Sequence, residues 1–114
     1  MLHYNKLIRD KVPQVAKRKG ITIKYRTADA DEEFWFLLKN KLQEEVTELG
    51  SDADMEAIVD IMEVIDTMIE FKKFDRKMLQ AVRENKTIEQ GKFSNRLVLE
   101  ESDQEIGHEQ SQLV

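Results

Sequence analysis

The residues of this 114-residue chain with the clearest chemical potential are carboxylates at helical spacing. Glu44, Glu45 and Glu48 form one group, and Glu56, Asp60 and Glu63 form a second a short distance on. Separations of three and four residues bring side chains to one face of a helix. An oxygen-only donor set of this kind suits Mg²⁺ or Mn²⁺ better than zinc or copper. Magnesium is usually held by a few carboxylates together with substrate phosphates. Of the first group, Glu45 and Glu48 fall on or beside the apolar face of their helix, and Glu44 points further out. All six, Glu44, Glu45, Glu48, Glu56, Asp60 and Glu63, are candidates for a cation site. A di-iron site would need Glu-x-x-His pairs. The histidines, His3 and His108, lie near the two ends, so neither acidic stretch has one.

A second group is basic: Lys6, Arg9 and Lys11 near the start, Lys92 and Arg96 near the end. Arginine suits bidentate contact with phosphate and lysine supplies a point charge. The competing explanation for both groups is ordinary surface charge, with the glutamates paired to Lys39, Lys41, Lys72 and Lys73. Against it stands the composition of Met55–Lys72. Ile58, Val59, Ile61, Met62, Val64, Ile65, Met68, Ile69 and Phe71 cover most of that helix. With Glu56 at zero, Thr67, Asp60 and Glu63 fall within about 40° of it, on one narrow polar strip. A helix apolar nearly all round is normally buried, and buried carboxylates need partners or a cation.

The elements that must position these residues read as helices. Pro13 suits a first turn and Gly20 a C-terminal cap, which predicts a short helix over Val12–Lys19. Ile21–Thr27 is β-branched and partly alternating, and predicts a strand. Asp29 or Asp31 should cap a second helix running to about Leu49, with Glu32 and Glu33 in its first turn. Phe34, Trp35, Leu38, Leu42, Val46 and Leu49 share an arc of roughly 120° on it. Gly50 should end it. The short Gly50–Asp54 loop predicts an antiparallel return through Met55–Lys72. A fourth helix is expected over Asp75–Gln90, with Met78, Leu79, Val82 and Ile88 apolar and Gly91 as its stop. Arg96–Glu100 reads as a second strand, able to pair with Ile21–Thr27. The expected fold is mainly α: an antiparallel helix bundle with a small β pairing in a single domain over 1–100, then a polar tail over 101–114.

Composition narrows the classes. The charge of −5 disfavours sequence-general nucleic-acid binding, which depends on basic surface. Cysteine is absent, which excludes disulfides and thiolate metal sites. The opening MLHYNKLIRDK lacks the apolar core of a signal peptide, and no apolar run approaches a membrane span. The expected location is the cytoplasm, with no membrane partner.

Glu44-Glu45-Val46-Thr47-Glu48 followed by an acidic helix resembles the EExxE…ExxD signature of the MazG-like all-α nucleoside triphosphate pyrophosphohydrolases. The opening Tyr4-Asn5-Lys6-Leu7-Ile8-Arg9-Asp10-Lys11-Val12-Pro13 and the closing Gly91-Lys92-Phe93-Ser94-Asn95-Arg96-Leu97 look like its phosphoribosyl-ATP pyrophosphohydrolase-like branch. The second half of the signature departs from the pattern. With Asp60 as the motif aspartate, Ala57 stands where a glutamate is expected, and Glu56 or Glu63 substitutes. With Glu63 and Asp66 the spacing fits, but Asp66 leaves the polar strip. Asp60 sits in the better apolar context.

The resemblance implies Mg²⁺-dependent cleavage of a nucleotide between its α- and β-phosphates, giving a monophosphate and pyrophosphate. Clearance of non-canonical nucleotides is one role of that chemistry. Glu44 or Glu56, not fully committed to metal, would orient or deprotonate the water. Lys6, Arg9, Lys11, Lys92 and Arg96 would hold phosphate. The resemblance also implies a homodimer or homotetramer. The alternatives are a catalytically impaired nucleotide-binding homologue, and a structural helical module whose charges only set helix pairing.

Overall fold

In the computed structural model, residues 2–50 and 54–106 are described. Residues 51–53 of the expected loop and 107–114 of the expected tail lie outside them. The order is α1 (Val12–Arg18), α2 (Asp31–Glu48), α3 (Met55–Lys72) and α4 (Arg76–Gln90). The fold is mainly helical, as expected, and helix ends agree with the sequence reading to within about a residue.

The chain divides into two compact units, residues 1–72 and 73–114. In the first, α1 carries Pro13 in its opening turn and ends at a glycine-dependent cap. Gly20 N–H donates to Lys17 O, and Ile21 N–H reaches back to Ala16 O at 2.9 Å. This pair of bonds requires a left-handed residue, and Gly20 supplies it with φ of 72°.

The start of α2 differs from expectation. Ala30 is the N-cap residue, and neither Asp29 nor Asp31 caps through its side chain. Asp31 is already helical, so its carboxylate is one position too late for the task. Glu33 reaches back instead and accepts from Asp29 N–H at 3.0 Å, while Arg26 pairs with the same carboxylate at 2.8 Å. Gly50, with φ of 60°, follows the last turn. Asp54 caps α3, accepting from Ala57 N–H at 2.9 Å.

α2 and α3 pack as an antiparallel pair. At one end, Phe71 of late α3 meets Phe34 edge-on at 5.2 Å and stacks on Trp35 at 5.8 Å. The Lys72 ammonium lies 4.2 Å from the Trp35 ring centroid. These half-buried aromatic side chains therefore pack on one another at this end of the pair. Leu38 from α2, with Ala57 and Val64 from α3, are buried along the pair. Their registers explain this: 57, 61, 64, 68 and 71 recur at the three-and-four spacing that keeps one stripe of α3 against its neighbour.

In the second unit, the Asp75 side chain caps α4 by accepting from Lys77 N–H. Gly91 ends the helix at φ of 80°. Met78, Leu79, Val82 and Ile88, the expected apolar positions, are exposed.

Among the described residues no strand forms, so the expected pairing of Ile21–Thr27 with Arg96–Glu100 is not present. β-branched composition records only fitness for a pleated, half-covered surface. Here Ile21, Tyr25, Leu97, Val98 and Leu99 are exposed, and a strand needs a partner's backbone. Among the described residues, no helix is long and apolar enough to cross a membrane.

Candidate functional site

The antiparallel return of α3 brings the two acidic stretches together at the end of the hairpin opposite Phe71. There an open cavity of about 380 Å³ is lined by Lys6, Lys41, Glu44, Glu45, Glu48, Asp54, Glu56, Ala57 and Asp60. Five of the six sequence-selected carboxylates line it. Glu63 does not. It lies about 60° round α3 from Asp60, on the side away from the α2-facing stripe, and is exposed.

Glu44 also lines the cavity, although the helical arc points it outward. The cavity has a third wall that the arc does not consider. The irregular segment before α1 lies along this flank, and Lys6 Nζ donates to Glu44 Oε1 at 2.8 Å. Further along, Arg9 Nη2 donates to Asp60 Oδ1 at 2.8 Å. Lys41 Nζ stands 3.3 Å from Glu45 Oε1 and 3.6 Å from Glu44 Oε1. Lys6, Lys41 and Arg9 thus pair with Glu44, Glu45 and Asp60, three of the six carboxylates that line the cavity. Glu48 and Glu56 have no ion pair among the described residues.

The electrostatics follow the contacts. The Glu44 carboxyl is held below its ordinary value of 4.5, chiefly because Lys6 donates to it; partial burial opposes this and Lys41 adds attraction. The Lys6 ammonium is raised above 10.5, chiefly by its bond to Glu44. Both ions thus favour the charged pair at neutral pH.

Of the basic residues selected from the sequence, Lys6 and Arg9 reach the carboxylates. Lys11 does not line the cavity; it is the residue before α1, and its carbonyl accepts from Val15 N–H. Lys92 and Arg96 belong to the second unit and are exposed there. Arg96 adopts φ of 61° in a turn closed by its own N–H on Phe93 O at 3.0 Å.

Lys41 and Asp54 were not selected from the sequence. The signal for Lys41 was its placement three and four residues before Glu44 and Glu45, which puts the three on one flank of α2. Asp54 was legible as the polar residue just ahead of α3, the usual place of a cap. Of the lysines in the competing surface-charge explanation, Lys41 does pair with the glutamates, whereas Lys72 sits over Trp35.

The donor set is all oxygen on the acidic side, the right chemistry for a hard divalent cation. As the side chains stand, no three acidic or histidine groups among the described residues converge closely enough to hold one. Glu44, Glu45 and Asp60 are turned toward ammonium and guanidinium partners instead. Ala57 is 7% exposed and lines the cavity, so the position at which the sequence resemblance expects a glutamate faces inward. Comparison of the chain with protein-family models, curated proteins and solved structures finds no match.

Proposed function

We propose that the protein is a Mg²⁺-dependent nucleotide pyrophosphohydrolase of MazG-like type, cleaving a nucleoside triphosphate or phosphoribosyl-ATP-like nucleotide between its α- and β-phosphates. The observation that carries this reading is the shared cavity. It gathers Glu44, Glu45, Glu48, Glu56 and Asp60 from two helices and adds Lys6 from the segment before α1. Carboxylates for a cation and basic groups for phosphates thus stand side by side, as the motif resemblance implies.

Glu45, Glu48 and Asp60 are the ligands in this reading, with Glu63 left out by its position. Magnesium, when bound, would offset phosphate charge and make water a better nucleophile. The protein's own groups do the rest. Glu56, without an ion pair among the described residues, takes the proton from the attacking water. Glu44 is the poorer base, since Lys6 and Lys41 stabilise its ionised form. As water adds, the bond to the α–β bridging oxygen breaks and pyrophosphate leaves. Lys6 and Arg9 balance its charge.

The same reading includes pairing of two copies. Met55, Ile58, Met62 and Ile65 form a second three-and-four stripe on α3, about a third of a turn from the one facing α2, and all are exposed. An uncovered apolar stripe of this length is suited to a helix of another chain. The test is pyrophosphate release with Mg²⁺ across ordinary, deoxy and damaged nucleoside triphosphates and phosphoribosyl-ATP. Mg²⁺-dependent release that Glu45→Gln abolishes supports the enzyme. Nucleotide binding without turnover supports the impaired homologue, for which Ala57 is the structural reason.

A further inference from the structure

We propose that Lys6 and Arg9 form a releasable ionic clasp. They hold the segment before α1 across the acidic cavity when it contains no cation, and they let go when a divalent cation enters. The inference rests on the cation reading of the cavity given above.

Little else holds this segment down. Residues 2–9 form no helix or strand. Leu2, Tyr4 and Ile8 are exposed, and Leu7 alone among residues 2–11 is half-buried. Among the described residues, no backbone hydrogen bond ties residues 2–8 to α2 or α3. What remains is one ion pair to each helix, Lys6 to Glu44 on α2 and Arg9 to Asp60 on α3. The Lys6 ammonium also lies 5.4 Å from the Tyr4 ring centroid, a contact within the segment itself.

Both anchors end on carboxylates of the cavity. A divalent cation held by Asp60 competes directly with the Arg9 guanidinium for the same oxygens, and held by Glu45 and Glu48 it repels the Lys6 ammonium beside them. Both pairs are partly exposed, with side chains 30% to 54% accessible, and pairs of this kind are weak. A cation with two charges can therefore displace them. Release leaves two positive groups beside the cavity, and a phosphate chain would then recruit them. The clasp thus orders the two events: cation first, nucleotide second.

The test uses the full chain and Mg²⁺ alone. Trypsin cleavage after Lys6 and Arg9 is followed by mass spectrometry at constant ionic strength, normalised to cleavage after Lys92. The Glu44→Gln/Asp60→Asn double variant gives the released reference. In parallel, calorimetry measures Mg²⁺ affinity for the wild type and for Lys6→Gln/Arg9→Gln. The clasp predicts that Mg²⁺ speeds cleavage at both sites at least about threefold, with a midpoint at the Mg²⁺ dissociation constant. It also predicts about threefold to tenfold tighter Mg²⁺ binding once both cations are gone. Mg²⁺ binding with neither change overturns the clasp and leaves the cation site standing. Absence of Mg²⁺ binding to the wild type overturns the cation reading and the clasp with it.

Discussion

Asp60→Asn separates a cation site from a structural ion pair, because the structure bounds what the pair itself can contribute. Asp60 accepts from Arg9 at 2.8 Å, with the two side chains 42% and 54% exposed. A pair this accessible contributes at most about 1 kcal/mol. The cost of about 3–5 kcal/mol for stranding a buried charge does not apply here. In metal-free buffer the variant should therefore melt no more than about 4 °C below the wild type, a shift scaled for a chain of this size. Magnesium gives the contrast. At a hundredfold excess over its dissociation constant, a ligand that binds only the folded state adds about 2.7 kcal/mol. That raises the wild-type melting temperature by roughly 10 °C. The variant, lacking one anionic ligand, should move by a small fraction of this. Circular dichroism melts of both proteins, with chelator and with Mg²⁺, give the four numbers required. A variant that melts more than about 10 °C lower with chelator, while Mg²⁺ moves neither protein, would refute the reasoning and make Asp60 structural.

Three further outcomes follow from the same contacts. Phe71→Ala removes the edge contact with Phe34 and the stack on Trp35, and should cost about 2–3 kcal/mol, since the ring is only half-buried. Urea unfolding followed by the fluorescence of Trp35, the sole tryptophan, reads it directly. The Glu44 carboxyl lies below its ordinary value of 4.5 in the fold, so its contribution to stability is complete at neutral pH. It is lost as pH falls from about 4.5 through the lower folded value; for Lys6, raised above 10.5, the loss comes on the alkaline side as pH rises. Carbon-detected NMR titration of the Glu44 carboxyl should show Lys6→Gln moving its midpoint back up. Ala57→Glu places a carboxylate at an inward position where the sequence resemblance expects one. It should lower metal-free stability by about 1–3 kcal/mol and enlarge the Mg²⁺-dependent gain in melting temperature; a gain equal to that of the wild type would mean that position 57 is no ligand position.

The helices were legible in the sequence because their boundaries carry chemical punctuation. Pro13 and Gly20 bracket α1, Gly50 closes α2, and Asp75 and Gly91 bracket α4. The pairing of α2 with α3 was legible too, since each has one stripe of apolar residues at three-and-four spacing and the loop between them is short. The strands were not, because Ile21–Thr27 shows propensity but not partnership. Capping of α2 was misplaced by one residue, with Glu33 reaching back in place of an aspartate. In the candidate site, the approach of Asp60 to α2 follows from its angle to Ala57 and Val64. The inward role of Glu44 does not follow from any angle on α2, because it depends on where an irregular segment lays Lys6. Periodicity describes regular elements only. For the same reason Lys6, Arg9 and Lys11 looked equivalent in the sequence, yet two reach carboxylates of the cavity and the third is held at the start of α1.

The proposed reaction is the splitting of a nucleotide between its α- and β-phosphates by the gathered carboxylates and basic groups. Product identification tests it most directly. The full chain is incubated with Mg²⁺ and each triphosphate of the screen, and phosphorus NMR follows every phosphate species. The account predicts equal amounts of nucleoside monophosphate and pyrophosphate from at least one substrate, with no diphosphate intermediate, and none of this chemistry from Glu45→Gln or in chelator. Formation of nucleoside diphosphate and orthophosphate, or no turnover of any substrate despite bound Mg²⁺, would contradict it.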